Sequence, residues 1–432
     1  MKKFSLGAAV MAVLASCAGD AELDTLNDLA GPEARNIDSF MDPIWYIALA
    51  VMILIFGLTA AIVVKFRVKE YEDGDWPEQV HGNTKLEIVW TAIPTVLMIA
   101  IAGLSMFLLR DLFSEEVNAV TLDLPNEGVS LEWEPHVVVV GQQWWWEYRY
   151  YIEPDKIAAF EAAVAADDVT QLALNLPEAD IVTSGQIVIP VDQEVELTIM
   201  SRDVIHSHWI PSLNGKRDAA PGRVHEWKME SSFPGIFFGQ CTEFCGLSHS
   251  RMRMQAHAMT ETDFEAWLEE QMTPATPPAG AEAWLEAYRA GDSSTVETPT
   301  DSAEARGLVA FTQNCTSCHL VNGVNDLEYE GAEALVAGAA PDLTHLMSRT
   351  TFAGGLIPLY EDLAEGNEPQ LNRNDLEAWL RNPADLKANY ADGGRGMPAL
   401  GLDDDTIDDL VAYLSTLGTP PSADAVLATQ VD

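Results

Sequence analysis

The stretch GQCTEFCGLSHSRM, residues 239–252, sets two cysteines four apart, a histidine four further on and a methionine three beyond that. Thiolates, imidazoles and thioethers bind metals or change oxidation state, so a loop this dense in them reads as a chemical site. Three chemistries fit the spacing. Two cysteines and two histidines would satisfy a tetrahedral zinc ion. Cys241 and Cys245 could close a disulfide in an oxidising compartment. Copper is the third, and Met252 favours it, because a thioether is a poor zinc ligand but a good weak ligand for copper held by thiolate and imidazole. One cysteine would make a mononuclear copper site, whereas two let both thiolates bridge two coppers, each keeping one histidine and a weaker third ligand. The second imidazole must come from elsewhere. His206-Ser207-His208 offers two that project from the same face of an extended strand, so spacing alone does not choose between them.

A second cluster, Cys315-Thr316-Ser317-Cys318-His319, has the CxxCH spacing that attaches a c-type haem through two thioethers while the histidine ligates iron. Candidates for the sixth iron ligand are Met397, Met347 and His345. Met397 is preferred, since Gly396-Met397-Pro398 forms a loop just before the last helix, whereas Leu346-Met347 continues an apolar periodicity.

The elements that must position these groups follow from periodicity. Met1-Lys2-Lys3, the apolar run Phe4 to Leu14 and Ala15-Ser16-Cys17 read as an export signal over residues 1–16. The cysteine that follows Leu14-Ala15-Ser16 resembles a lipobox, which makes Cys17 the expected lipidated N-terminus of the mature chain. Residues 17–43 are an N-terminal extracytoplasmic segment. Two apolar runs, 44–64 and 86–109, each exceed the ~20 residues that cross a ~30 Å hydrocarbon layer and form a transmembrane hairpin over 44–109. Lys65, Arg67, Lys69 and Lys85 between them place the connecting loop in the cytoplasm and both outer ends outside. Period-two runs from His136 to Val140, Ile187 to Ile189, Glu194 to Ile199 and Gly235 to Phe238 predict a β-sandwich or barrel over 110–272, with a mostly helical insertion at 154–180. Residues 273–300, opening on TPATPPAG, have linker composition despite a possible helical turn around Trp284 to Tyr288. An all-α haem domain is expected over 301–419, its first helix running Ala303 to Gln313 and its last opening on Asp403-Asp404-Asp405, followed by a tail over 420–432.

Across 432 residues, 67 acidic side chains face 24 basic ones, a formal net charge of −43. Such a field repels nucleic acid, so no nucleic-acid partner is expected and basic or uncharged partners are. The length suits two or three domains, each with its own core.

Residues 35–272 resemble subunit II of haem-copper cytochrome c oxidases. The likeness rests on Gly82-Asn83-Thr84-Lys85-Leu86-Glu87-Ile88-Val89-Trp90-Thr91-Ala92-Ile93-Pro94, on Gln143-Trp144-Trp145-Trp146, on Ser201-Arg202-Asp203-Val204-Ile205-His206-Ser207 and on 239–252. Residues 301–419 resemble class I cytochrome c domains, including Pro341 in the loop that supports the proximal histidine, and the fusion is similar to the caa-type oxidases. The resemblance implies a cupredoxin-like copper domain in which His206, Cys241, Cys245, His249 and Met252 bind a dinuclear copper centre by side chain and Glu243 by its carbonyl. It also implies that the Glu243 carboxylate reaches a magnesium ion shared with subunit I. Trp144 matches the position where electrons enter the copper site, and Trp145 is expected to be packing. Glu87 matches a carboxylate at the mouth of a proton channel; alone, it reads equally well as a helix-terminal carboxylate favourable to the dipole. Cys315, Cys318, His319 and Met397 would hold haem c. The implied protein is a subunit of a respiratory terminal oxidase in the bacterial cell membrane, with its N-terminus and both metal domains extracytoplasmic. It would take electrons from cytochrome c or a quinol-cytochrome c reductase and pass them to subunit I, beside subunit III, for oxygen reduction coupled to proton translocation. The small subunit of a copper-containing nitric oxide reductase is the alternative. All five cysteines are then used, leaving none for a disulfide.

Overall fold

The computed structural model describes residues 29–67, 81–112, 119–124, 129–166, 169–325, 340–361, 368–390 and 395–421. The export signal, Cys17, Lys69 and the tail beyond residue 421 lie outside them.

Helix α1 (Pro32–Lys65) starts with proline in its first turn, where the fixed φ is already helical and no donor is lost. Helix α2 (Thr84–Leu112) starts with a reciprocal cap: Leu86 N–H donates to Asn83 Oδ1 at 3.2 Å and Asn83 N–H to Glu87 Oε1 at 3.2 Å. Both are long and apolar enough to cross a membrane, and side chains such as Ile53, Phe56, Ile93 and Phe107 point outward unpacked. The first helix begins twelve residues before the expected apolar run. Its first turns are aqueous and rest on the β-domain: Gly31 N–H donates to Ser212 O at 2.9 Å, Arg35 to Ser232 Oγ at 2.9 Å, and Glu33 pairs with Lys228 at 3.0 Å. At the other end Leu108 and Leu112 join the β-domain core, so both outer ends of the hairpin adjoin that domain.

After the hairpin β1 (Val120–Leu124) with β2 (Val129–Trp133) come β3 (His136–Gln142), β4 (Trp145–Tyr150), the insertion α3 (Pro154–Ala165) and α4 (Val169–Leu174), then β5 (Ile181–Ser184), β6 (Gln186–Pro190), β7 (Val195–Ser201), β8 (His206–His208), β9 (Arg217–Ala219), β10 (His225–Met229), β11 (Gly235–Gln240) and β12 (Arg253–Met259). A five-stranded sheet, β10-β7-β3-β4-β5, faces a three-stranded one, β11-β12-β6. The unbroken run Val137 to Val140 is explained by cover on both faces. Val137 and Val139 point into the sandwich, while Val138 and Val140 point outward under Phe160 and Leu172 of the insertion. Helix α5 (Glu261–Gln271) closes the sandwich with Phe264, Trp267 and Leu268.

Residues 273–300, expected as a linker, are corrected in part by the fold. Helix α6 (Glu282–Arg289) buries Trp284 and Leu285 in the haem-domain core, beside Leu308 and Phe311. That core is built on α7 (Ala303–Asn314), capped by Ser302, with the hairpins β13 (Thr351–Phe352)/β14 (Ile357–Pro358) and β15 (Tyr360–Glu361)/β16 (Gln370–Leu371), then α8 (Arg373–Arg381), α9 (Pro383–Leu386) and α10 (Asp404–Leu414), capped by Asp403. Helices α7 and α10 cross at Gly307, where a Cβ would sit 2.0 Å from Asp409 O; only glycine permits this approach. The two domains are also bonded to each other. Thr350 Oγ1 reaches Gln186 Oε1 at 3.2 Å and Gln255 Oε1 at 3.0 Å, and Gln271 donates to Ser348 Oγ at 3.1 Å.

Candidate functional site

The sulfur-rich loop is closed by the sheet that flanks it. β11 and β12 are antiparallel with Gln240 opposite Arg253, and Cys241 N–H donates to Met252 O at 3.0 Å, so residues 241 and 252 are fixed as the two ends of one hairpin connection. Within it Cys241 Sγ and Cys245 Sγ lie 3.8 Å apart, Cys245 Sγ lies 3.6 Å from His249 Nδ1 and 3.9 Å from Met252 Sδ, and Cys241 Sγ lies 3.3 Å from Glu243 O. His206, at the head of β8, brings Nδ1 to 3.9 Å from Cys241 Sγ. All six groups expected at the copper site are thus brought together, and His206, Cys241, Cys245 and Met252 are buried.

This arrangement decides among the three chemistries. At 3.8 Å the sulfurs are far beyond the ~2.05 Å of a disulfide. Met252 Sδ belongs to the cluster, which a zinc site would leave unused. A soft set of two thiols, two imidazoles, a thioether and a carbonyl fits copper. Hydrogen bonding from Cys245 holds the Cys241 thiol well below its ordinary value, against the opposing effect of burial and with help from His206, so that a thiolate is readily available as a ligand.

The imidazole is oriented from behind. Asp203 Oδ1 accepts from His206 Nε2 at 2.9 Å, leaving Nδ1 for the sulfur side, and Asp203 Oδ2 is itself held by Gln143 N–H at 2.8 Å. Burial disfavours charge on His206, but Asp203 outweighs it and raises the imidazole above its usual value. Neither Asp203 nor Gln143 was picked out as functional by residue type alone; Asp203 carried a signal only through its place three residues before His206. His208 is buried edge-on to Trp146 at 5.1 Å, with Nε2 3.1 Å from Tyr148 Oη, and burial pushes its imidazole down to about 3.

The Trp144 indole N–H donates to Cys245 O at 3.0 Å, while Gln143 Nε2 donates to the same carbonyl at 2.8 Å. Trp145 is buried packing, as expected. Around the loop Val204, Ile205, Phe244 and Leu247 are exposed, with Phe244 at 77%, an apolar rim of the kind that docks on a protein partner. The Glu243 carboxylate is exposed, and among the described residues the cluster of metal-binding side chains is His206, Cys241 and Cys245, so the structure lends no support to magnesium.

In the haem domain His319 Nδ1 lies 2.7 Å from Pro341 O, which leaves Nε2 for iron, and Cys315 and Cys318 are free thiols. Met347 is occupied, its carbonyl and its sulfur (3.7 Å) both meeting Tyr360 Oη; His345 Nε2 is 3.0 Å from Thr273 O. Met397 is half-buried against the same core, its carbonyl accepting from Asn389 Nδ2 at 3.0 Å. The residues fit a covalently held haem. Glu87 sits apart at the foot of α2, capping Asn83 and lining a groove of about 540 Å³ with Thr91 and Thr95.

Comparison with known proteins agrees with this geometry. Family models described as cytochrome c oxidase subunit II, transmembrane domain, and cytochrome c oxidase subunit II, periplasmic domain, match residues 20–108 and 136–259. A model described as cytochrome c oxidase, cbb3-type, subunit III, matches residues 302–414. Cytochrome c oxidase subunit 2 of Alkalihalophilus pseudofirmus is 30% identical over 413 residues, covering 94% of this chain and 93% of the relative. That of Candida albicans is 33% identical over 251 residues, covering 57% of this chain and 86% of the relative. The subunit 2 of Bacillus subtilis is 27% identical, covering 76% of this chain and 73% of the relative. With the sulfur cluster in place and a relative 30% identical over 94% of this chain and 93% of its own length, the chain belongs to the cytochrome c oxidase subunit 2 family and carries a C-terminal cytochrome c domain.

Proposed function

We propose that this chain collects electrons on its haem domain and delivers them through its copper domain to subunit I of a haem-copper oxidase. The observation that carries the reading is the contact from the Trp144 indole to the carbonyl of Cys245, which ties an aromatic ring buried where the haem domain rests on the copper domain directly to the sulfur cluster. When bound, the haem and the dinuclear copper each supply a one-electron carrier. Cys315 and Cys318 attach the haem covalently, His319 and Met397 offer nitrogen and sulfur to its iron, and Asp203 keeps the His206 ring turned toward the sulfurs. The apolar rim at Phe244 and Leu247 is the surface for subunit I, with the exposed Glu243 carboxylate beside it as the group a shared magnesium ion would take. Both metal domains stand on the extracytoplasmic side, a reading supported by Lys65, Arg67 and Lys85 at the opposite end of the hairpin. Cys17 is the lipid anchor, subunit III a further neighbour, and cytochrome c or a quinol-cytochrome c reductase the donor.

In the assembled oxidase, Trp144→Phe is expected to keep the copper content and to slow copper reduction by the reduced haem by about a hundredfold, since the indole bond that fixes the path is lost. Rapid-mixing absorbance at separate haem and copper wavelengths measures it, and an unchanged rate removes Trp144 from the path. Glu87 is the proposed foot of a proton route into subunit I, supported by Thr91 and Thr95 along the same groove. Glu87→Ala should slow steady-state oxygen uptake without altering copper content or haem reduction; if Glu87 serves only as a cap, turnover stays as it was.

A further inference from the structure

Lys387 is the sole lysine after Lys228 in a chain segment crowded with carboxylates, yet among the described residues no carboxylate pairs with it. Its side chain is buried, with the residue only 6% exposed, and its ammonium donates to two main-chain carbonyls: Trp144 O in the copper domain at 2.6 Å and Ala353 O in its own domain at 2.7 Å. Taking an ammonium out of water for neutral acceptors costs free energy, so such a group adds little to net association and much to register. Burial accordingly pushes it down to about 7, with Cys245 drawing it up and Arg251 down. The cradle is shaped to it from the other side. Gly354, at φ +70°, stands where a Cβ would come 2.7 Å from the Lys387 nitrogen and 2.8 Å from Trp144 O.

The neighbours of Lys387 bind the same surface. Arg251 Nη1 donates to Leu386 O at 2.5 Å and Ser248 Oγ to Ala388 O, and both donors sit beside copper ligands, Met252 and His249. Tyr390 lays its ring against Trp144, centroids 5.6 Å apart, and Trp144 is left 3% exposed. Asn389 meanwhile holds the backbone of Met397. Residues 386–390 therefore touch the copper-binding loop on one side and the iron-binding methionine on the other.

We infer that Lys387 is a positioning residue that pins the haem domain onto Trp144 and closes that tryptophan to external donors, so that electrons must arrive through the haem; the shielding half rests on Trp144 being the point where electrons enter the copper domain. An electron leaving a reduced external donor then reduces the haem first and the copper centre second.

The test uses the assembled oxidase carrying Lys387→Met, which keeps the length and apolar stem of the side chain, with Gly354→Ala as a second variant that displaces the ammonium from the opposite side. Amide hydrogen exchange over residues 144–146 and 386–390, read by mass spectrometry, should rise about tenfold or more in both, while haem and copper contents stay at wild-type levels. Haem-to-copper transfer should slow by about ten- to a hundredfold. A direct reduction of copper that grows with the concentration of added reduced cytochrome c should appear, and the wild type should lack it. Unchanged exchange in Lys387→Met overturns the inference. Exchange that rises while transfer keeps its rate and no direct reduction appears overturns the shielding, and places the fault in Trp144 as the acceptor if Trp144→Phe is equally silent.

Discussion

His206→Ala is expected to abolish the mixed-valence copper signal in electron paramagnetic resonance, whereas His208→Ala is expected to keep two coppers per chain and the same signal shape. The two histidines lie on one three-residue strand and both are buried, so exposure does not separate them. Their partners do. His206 has one nitrogen on Asp203 and the other 3.9 Å from Cys241 Sγ, the arrangement of a metal-binding imidazole with a carboxylate behind it. His208 spends its Nε2 on Tyr148 and its ring on Trp146, which is packing. Removing it leaves the Tyr148 hydroxyl without that partner in a dry interior, so His208→Ala should lower the stability of the domain by about 1–3 kcal/mol while the copper signal persists. Loss of the dinuclear signal in the His208 variant alone would reverse the assignment.

The second large effect is on the haem domain. Trp284→Ala is expected to destabilise it by about 3 kcal/mol, because the indole is 5% exposed, stacks on Tyr288 at 5.6 Å, and fills the core that Leu308 and Phe311 share. Thermal unfolding followed at the haem absorbance reads this as a drop in Tm of several degrees per kcal/mol. A residue on a flexible tether would leave the Tm where it was, and that result would restore the linker reading of 273–300.

Where the sequence was legible, the chemistry and the local fold were tied together by short-range geometry. Cys241, Cys245, His249 and Met252 belong to one hairpin connection, and His319 follows its cysteines directly, so spacing brought these groups together, whereas His206 was chosen over His208 by the family resemblance. The helix from Ala303 and the helix opened by Asp403 fell where composition placed them. TPATPPAG gave 273–300 its linker composition, while Trp284, Leu285 and Tyr288, where a helical turn was expected, stand at helical spacing and are the apolar face of α6. Helix α1 was begun late because hydropathy registers lipid and is blind to a helix that continues into water on Pro32, Glu33 and Arg35. Lys387 and Tyr390 could not be found at all. Each gains its meaning from a residue more than two hundred positions away, and no local pattern records which surface the haem domain rests on.

The aqueous start of α1 has a mechanical corollary. At 1.5 Å per residue its 34 residues span about 51 Å, some 20 Å beyond the hydrocarbon thickness, so the helix leaves the bilayer as a mast with Pro43 inside it and the copper domain fastened to its top by Gly31, Glu33 and Arg35. A thicker or thinner bilayer then leans the mast and carries the domain with it as one body. The separation of the two redox loops is set instead by the bonds that run from one to the other.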